Sequence, residues 1–329
     1  MPILFAHPSS LEHDTGPGHP ERPDRIRAIE QRLGERDYLG YERREAPAAE
    51  LEQLLAVHPR EHVEAVRELS ARGGAFDLDT PLSRGSWDAA LHAAGGACAL
   101  VDSLLRDGEQ VGFSALRPPG HHCEPARAMG FCLFATVSIA ARHALDSLGI
   151  ERVLVLDWDV HHGNGTNAVF HSSREVLFAS IHQFPFYPGT GPLDDVGSGD
   201  GRGYSLNLPV PAGAGEDVFC ALVEHVVLPA ARQFEPELVL LSAGYDAHRD
   251  DPLGECTLDT SSFAELTRQV LTLGVPVGAV LEGGYDLGAL ADGVAATMEA
   301  LTEGGEPGSH PVEPVTARAV QALGGYWDL

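Results

Sequence analysis

Between residues 153 and 166 the chain reads Val-Leu-Val-Leu-Asp157-Trp-Asp159-Val-His161-His162-Gly163-Asn164-Gly165-Thr166. Carboxylates, imidazoles and glycines follow directly on a run of branched apolar residues, the pattern of a buried strand that opens into a polar loop. Side chains alternate faces along an extended strand, so Asp157, Asp159 and His161, at i, i+2 and i+4, are expected on one side. Carboxylates at the mouth of an apolar strand are costly to desolvate unless a cation or hydrogen-bond donors meet them. A divalent ion is the natural partner.

Three further strand-like runs end in similar chemistry. Residues 111–115 lead into Arg117-Pro-Pro-Gly-His121-His122, residues 238–242 into Ala243-Gly-Tyr-Asp246-Ala-His248, and residues 277–281 into Glu282-Gly283-Gly284-Tyr285. Taken singly, His121-His122 has a rival reading as a stacked turn pair, Tyr285 as a packed aromatic and Asp246 as a helix cap. Taken together, an active site is the economical reading. Asp159, His161 and Asp246 supply two oxygens and one nitrogen, a set that suits zinc with a position open to water and would also take iron(II) or another divalent ion. His121 and His122 offer a proton acceptor and a second electrostatic group, and Tyr285 a hydroxyl for an oxyanion. The chemistry is attack of water on a carbonyl, most simply amide hydrolysis.

Groups so far apart in sequence need a scaffold that delivers them to one edge. Strands are predicted at 3–6, 111–115, 153–156, 176–181, 204–208, 238–242 and 277–281. Helices are predicted at 24–33, 51–69 with a break at Pro59, 86–106, 133–148, 216–234, 261–273 with Thr260 or Ser261 as cap, and 287–301. Residues 304–314 read as a surface linker to a short tail helix ending in Trp327. This succession predicts an α/β chain with a mainly parallel sheet and helices on both faces, whose ligands bind at the carboxyl ends of the strands.

The formal charge of −26, from 22 basic and 48 acidic side chains, disfavours a phosphate backbone as partner and favours cationic or neutral ligands. All the basic residues are arginine and there is no lysine, so a protein acting on acyl-lysine could not be regulated through its own. The five cysteines, Cys98, Cys123, Cys132, Cys220 and Cys256, are odd in number and show no Cys-x-x-Cys spacing, which argues against a disulfide framework and fits a reducing compartment. Neither a signal peptide nor a run of membrane-spanning length is visible, so a cytoplasmic location without a membrane partner is expected.

These residues resemble the histone deacetylase family, in particular its class II and bacterial deacetylase-like amidohydrolase branch. The likeness runs in family order through His13-Asp-Thr-Gly-Pro-Gly-His-Pro-Glu-Arg-Pro23, 117–122, Gly130-Phe-Cys-Leu-Phe134, 157–166, Tyr187-Pro-Gly-Thr-Gly191, 242–246, Asp251-Pro-Leu-Gly254 and 281–285. It implies the arginase/deacetylase fold, a single deacetylase domain over 1–329 around a sheet of about eight strands. By the resemblance, Asp159, His161 and Asp246 are zinc ligands, His122 is the general base and acid, His121 the second histidine, and Tyr285 the hydroxyl that polarises the scissile carbonyl. Asp157 would orient His121, and Asn164 would face His122 where class I members carry Asp. A neutral amide stabilises imidazolium less than a carboxylate does, so His122 should be the less basic of the pair.

Gly130, Phe131, Tyr187 and Gly283 resemble the walls of an acyl-lysine tunnel, Leu253 its rim, and Arg22 a lining residue of an acetate exit channel. The family also binds potassium. The matching groups are Asp157, Asp159, His161, Ser180 and Ile181 for one ion, and Phe170, Ser173, Val176 and Tyr204 for a second. Many members carry Asn at the position of Ala135, which puts a local hydrogen bond at the next helix in doubt. The implied function is a zinc-dependent amidohydrolase removing acetyl or other small acyl groups from the side-chain amine of lysine in a peptide or protein. An acetylpolyamine or other small-amide deacetylase is the alternative, although position 253 carries no acid to meet a second ammonium. A non-catalytic acyl-lysine binding protein is the alternative of another class.

Overall fold

Strands covered on both faces of a sheet are apolar along their whole length, and the runs Val-Leu-Val-Leu, Val-Leu-Phe-Ala, Leu-Val-Leu-Leu and Val-Gly-Ala-Val meet that demand. In a computed structural model describing all 329 residues they are four of ten strands. These are β1 (Ile3–Ala6), β2 (Glu42–Glu45), β3 (Gly74–Ala75), β4 (Pro81–Leu82), β5 (Val111–Ser114), β6 (Val153–Asp157), β7 (Val176–Gln183), β8 (Ser205–Val210), β9 (Leu238–Ala243) and β10 (Val277–Leu281). Eight form one sheet in the order β2-β1-β5-β10-β9-β6-β7-β8, with every pairing parallel. Strands β3 and β4 make a short antiparallel hairpin.

Alternation along each strand divides the core into two layers. Leu154, Leu156, Leu177, Ala179, Val239 and Leu241 enter the larger one, closed by helices Asp24–Gly34, Thr260–Leu271 and Leu287–Glu303. Val153, Val155, Val176, Phe178, Leu238 and Leu240 enter the other, under helices Ser86–Leu105 and Thr136–Ser147. Each such leucine, valine or phenylalanine side chain, fully buried, stabilises the fold by about 1.5–3 kcal/mol. The four strands whose ends carry the candidate chemistry, β5, β10, β9 and β6, are consecutive neighbours. Their carboxyl ends therefore span roughly 15 Å at the usual strand spacing.

Several local expectations are corrected. Strand β2, Glu-Arg-Arg-Glu, carries no apolar signal because it is an edge strand, where charge blocks further pairing. Helix Thr260–Leu271 is capped by Asp259, in a reciprocal box with Ser262, rather than by Thr260 or Ser261. The helix expected over 216–234 contains a π turn at Val223–Val227, just before Pro229, whose missing N–H cannot continue the ordinary ladder. The helix predicted from 133 starts at Thr136, and the backbone N–H of its cap, Ala135, donates to Nε2 of His58 at 2.9 Å.

Residues 304–313 hold no helix or strand, yet they are pinned. Gly308 N–H donates to Glu265, and His310 N–H donates to Glu224 at 2.7 Å. The tail helix is Pro314–Leu323, and Trp327 lies beyond it, its indole N–H donating to the carbonyl of Gly203 at 2.7 Å. All five cysteines are free and buried, and no helix is long and apolar enough to cross a membrane.

Two buried imidazoles make stability depend on acidity. Burial, then His62, pushes His58 down to about 3, and burial pushes His182 down to about 4. Unfolding exposes both, so below about pH 6.5 the unfolded chain binds protons that the folded chain refuses. Their stabilisation is complete above that value and is lost as pH falls. At pH 5 the expected loss is about 2 kcal/mol per imidazole. The part due to His58 is read from His58→Gln, whose urea midpoint should fall less than that of the unaltered chain between pH 7 and pH 5, and equal changes in the two would contradict the account.

Candidate active site

Strand β6 stops at Asp157, so the alternation expected to align Asp157, Asp159 and His161 does not extend to the last two. Successive side-chain to backbone bonds hold them instead. One oxygen of Asp157 accepts the N–H of Asp159 at 3.1 Å, and one oxygen of Asp159 accepts the N–H of His161 at 3.0 Å. Asp246, three residues past β9, accepts the N–H of Val160 at 2.8 Å, which draws it to the same loop. Nδ1 of His161 lies 3.1 Å from both Asp159 Oδ1 and Asp246 Oδ2, and the three donor atoms are all within 4.8 Å of one another.

Gly283 forms the floor beneath the two carboxylates. Its N–H donates to Asp159 Oδ2 at 2.9 Å, and a Cβ there would stand 2.2 Å from Asp246 Oδ2 and 2.5 Å from Asp159 Oδ2. Both aspartates are completely buried. Burial, reinforced by Asp159, pushes Asp246 up to about 7. Burial also works against the charge on Asp159, but the imidazoles of His121 and His161 outweigh it and hold that carboxyl well below the usual range. His161 is pushed up to about 10, its burial overcome by the same two carboxylates. No arginine pairs with either aspartate, and two buried carboxylates facing one imidazole are the donor set and charge that a divalent cation satisfies.

The histidine pair leaves the loop after β5. His121 Nδ1 donates to Asp157 Oδ2 at 3.0 Å, while His122 Nδ1 lies 2.8 Å from Asn164 Oδ1. The Asn164 amide nitrogen donates to Glu124 at 2.9 Å and to the carbonyl of His122 at 3.3 Å, so its oxygen must be the acceptor. His122 therefore carries its proton on Nδ1, and Nε2 keeps a lone pair. Burial, with His121 and His161 adding to it, holds His122 well below its ordinary value and neutral. His121 is held well above, because Asp159 and Asp157 overcome its burial. Gly130 sits against His122 at φ +56°, where a Cβ would meet the ring at 2.5 Å, so only glycine serves.

Tyr285 hangs on a loop whose backbone is gripped from several directions. Arg25 donates to the carbonyls of Gly284, at 2.7 Å, and Glu282, and its guanidinium stands 5.1 Å from the Tyr285 ring. Arg25 is held by Glu21 at 3.1 Å, and Glu21 binds Arg117 through both oxygens at 2.6 Å. Glu282, wholly buried, accepts the N–H groups of Gly120 at 2.6 Å and His121 at 3.1 Å, tying this loop to the histidine pair. Asp251 accepts the N–H groups of Tyr285 and Asp286. Burial keeps the Tyr285 hydroxyl protonated, with Arg25 opposing and Asp246 and Asp159 adding to the effect.

Aromatic rings wall the approach. Phe131 meets Tyr285 edge-on at 5.7 Å, Tyr187 meets His122 at 5.2 Å, and Phe186 stacks on His161 at 5.4 Å. Leu253 lies in the turn made by Asp251, and the β3–β4 hairpin is fastened to the wall where Thr80 accepts the N–H of Phe131 at 3.3 Å. Arg22 is partly buried and pairs with Asp24 at 3.3 Å, and the fully buried arginine beside the Tyr285 ring is Arg25.

Of the residues linked to potassium, Asp157 and Ser180 are register partners across β6 and β7 at the catalytic end of the sheet. Phe170, Ser173, Val176 and Tyr204 gather at the opposite end, where β7 and β8 begin. A second trio, His58, His62 and Cys123, also brings its donor atoms within 4.8 Å of one another. Its ring nitrogens are engaged by the backbone of Pro125, Ala135 and Leu133, so it is a buried hydrogen-bond knot.

The family model for the histone deacetylase domain matches residues 19–301. The chain belongs to the histone deacetylase family. It is 41% identical over 281 residues to the histone deacetylase-like amidohydrolase of Pseudomonas aeruginosa, covering 82% of this chain and 73% of that protein. It is likewise 41% identical over 303 residues to a probable deacetylase of Methanothermobacter thermautotrophicus, covering 91% and 90%. Among solved structures, the HDA15 HD domain superposes with a TM-score of 0.93 at 35% identity, covering 99% of this chain and 95% of that one. The fold is the arginase/deacetylase fold.

Within this histone deacetylase frame, sequence reasoning named the groups that face the cavity and missed those that hold them. Glu21, Arg25, Asp251, Glu282 and Phe186 had no assigned role. Their one visible signal was position, since Glu21, Asp251 and Glu282 all fall inside the quoted motifs. Gly283→Ala would drive a methyl group between the two carboxylates. It is expected to weaken the site's affinity for an added divalent cation by about tenfold or more, read by competition with a chromogenic chelator, and wild-type affinity in that variant would refute the floor assigned to Gly283.

Proposed function

We propose that this chain is a zinc-dependent amidohydrolase that removes acetyl, or another small acyl group, from the side-chain amine of lysine. Family membership supports a hydrolytic deacetylase. The observation that carries the finer reading is the juxtaposition of the Asp159, His161 and Asp246 donors with a histidine, His122, whose Nε2 is free to accept a proton. A divalent cation held by that trio would polarise the amide carbonyl and activate water.

The chain's own residues do the rest. His122 Nε2 takes a proton as the water oxygen bonds to the carbonyl carbon, and Tyr285 donates its O–H to the oxygen on which negative charge grows. As the C–N bond breaks, His122 returns the proton to the departing amine, leaving a carboxylic acid. His121, held cationic by Asp159 and Asp157, contributes positive charge beside that oxygen without giving up its proton. Gly130, Phe131, Tyr187, Gly283 and Leu253 form a narrow lining suited to an aliphatic stem. Potassium at the carbonyls of Asp157, Asp159, His161, Ser180 and Ile181, and near Phe170, Ser173, Val176 and Tyr204, belongs to this reading through the family. Five free thiols support a reducing, cytoplasmic setting.

One observation favours an acetylpolyamine as a second reading. The hairpin tip carries Asp77 and Asp79, which add to burial in raising the Tyr187 phenol, so acid does stand near the mouth although Leu253 supplies none. Turnover of acetylputrescine against an acetyl-lysine peptide separates the two substrates. Acetyl-lysine turnover lost to a chelator and restored by zinc supports the hydrolase, whereas binding without turnover would leave only a reader.

Tyr285→Phe should lower kcat by about 10²- to 10³-fold with an unchanged melting temperature, and full activity in that variant would remove the mechanism. Asn164→Asp puts a carboxylate on His122 Nδ1 and raises its pKa. The acid limb of the pH–rate profile should then move upward by about one to two units, and an unmoved limb would exclude His122 as the base.

A further inference from the structure

The loop that carries Tyr285 is fastened at its far end by a single carboxylate from another strand end. Asp251 is 6% exposed, and the hydrogen bonds to its carboxylate all come from backbone N–H groups. Its Oδ2 accepts two backbone donors, Tyr285 N–H at 2.6 Å and Asp286 N–H at 3.1 Å, and its Oδ1 accepts Leu253 N–H at 2.9 Å. Asp286 in turn caps helix Leu287–Glu303, its side chain accepting the N–H of Ala289 at 2.8 Å. One side chain thus fixes the backbone on which the phenol turns, the start of the helix behind it and the turn that presents Leu253.

We propose that Asp251 is a positioning residue for Tyr285, and that it couples the aim of the phenol to the substrate rim at Leu253. The inference rests on the reading of Tyr285 as hydroxyl donor and deepens it. A role confined to its own turn would use only the Oδ1 bond to Leu253. The other oxygen reaches residues 34 and 35 positions away, and it is the acceptor for the backbone N–H of the tyrosine itself. Buried N–H groups need a partner, and without this one the Tyr285 backbone is free to rotate its ring off line. Because a hydroxyl misplaced by an ångström stabilises a developing oxyanion poorly, the effect belongs in turnover rather than in binding.

Asparagine separates the two halves of the role. Its single amide oxygen serves either the Tyr285 side or the Leu253 side, while its NH₂ opposes a donor on the other. The experiment measures kcat and KM on a fluorogenic acetyl-lysine peptide for Asp251→Asn, Tyr285→Phe and the double variant. Zinc per chain and melting temperature are followed alongside, and Asp251→Ala is added where it folds. Asp251→Asn is expected to lower kcat about tenfold or more with KM within about twofold and zinc content unchanged, and to lower kcat no further once Tyr285 is Phe. Equal losses in both backgrounds, an unchanged kcat, or a loss that follows zinc content would overturn the inference while leaving Tyr285 its role. Full activity in Tyr285→Phe would overturn the reading of the tyrosine, and this inference with it.

Discussion

Two carboxylates that cannot reach water, set against one imidazole, are the constraint from which the rest of this structure follows. Burial and then Asp159 drive Asp246 toward neutrality, while the imidazoles of His121 and His161 overcome burial and hold Asp159 far below the usual carboxylate range. Left alone, that arrangement would relax by opening the loop or by protonation. It is held by backbone donors from Val160 and Gly283 and by a glycine floor that admits no side chain. Every neighbouring feature, from the tautomer of His122 to the burial of Tyr285, is arranged around a site that calls for positive charge.

Geometry is kept by long-range clamps rather than by strand regularity. His121, His122, Asp159, His161, Asp246 and Tyr285 all stand beyond the ends of their strands, where the ladder no longer fixes them. Glu282 joins the tyrosine loop to the histidine pair, and the buried Glu21 with its two arginines reaches the same loop from below. A buried charge is tolerable when its hydrogen-bonding capacity is used. Here the capacity of Arg25, Glu282 and Asp251 is used on backbone, which turns that cost into rigidity.

The sheet and the groups facing the cavity were legible because each leaves a local mark. Apolar runs announce strands buried on both faces, and carboxylate, imidazole and glycine crowded after them announce the site. Strand β2 left none, since an edge strand paired on one side needs no apolar run, and the capping role of Asp259 could not be told from its neighbours Thr260 and Ser261. The clamps were illegible for a different reason. Arg25 and Glu282 lie 257 residues apart, and nothing local to either indicates that their partner is backbone.

The strand order sets a sequence of events during synthesis. Strands β5 and β6 are made early and stand apart in the finished sheet, with β9 and β10, the last two to emerge, lying between them. The facing edges of β5 and β6 therefore cannot reach their native pairing until both late strands have been made to fill the slot between them. Half of the chemistry arrives with the final strands, so a polypeptide stalled before residue 246 has the histidines but no complete centre. Competence is postponed until the slot is filled.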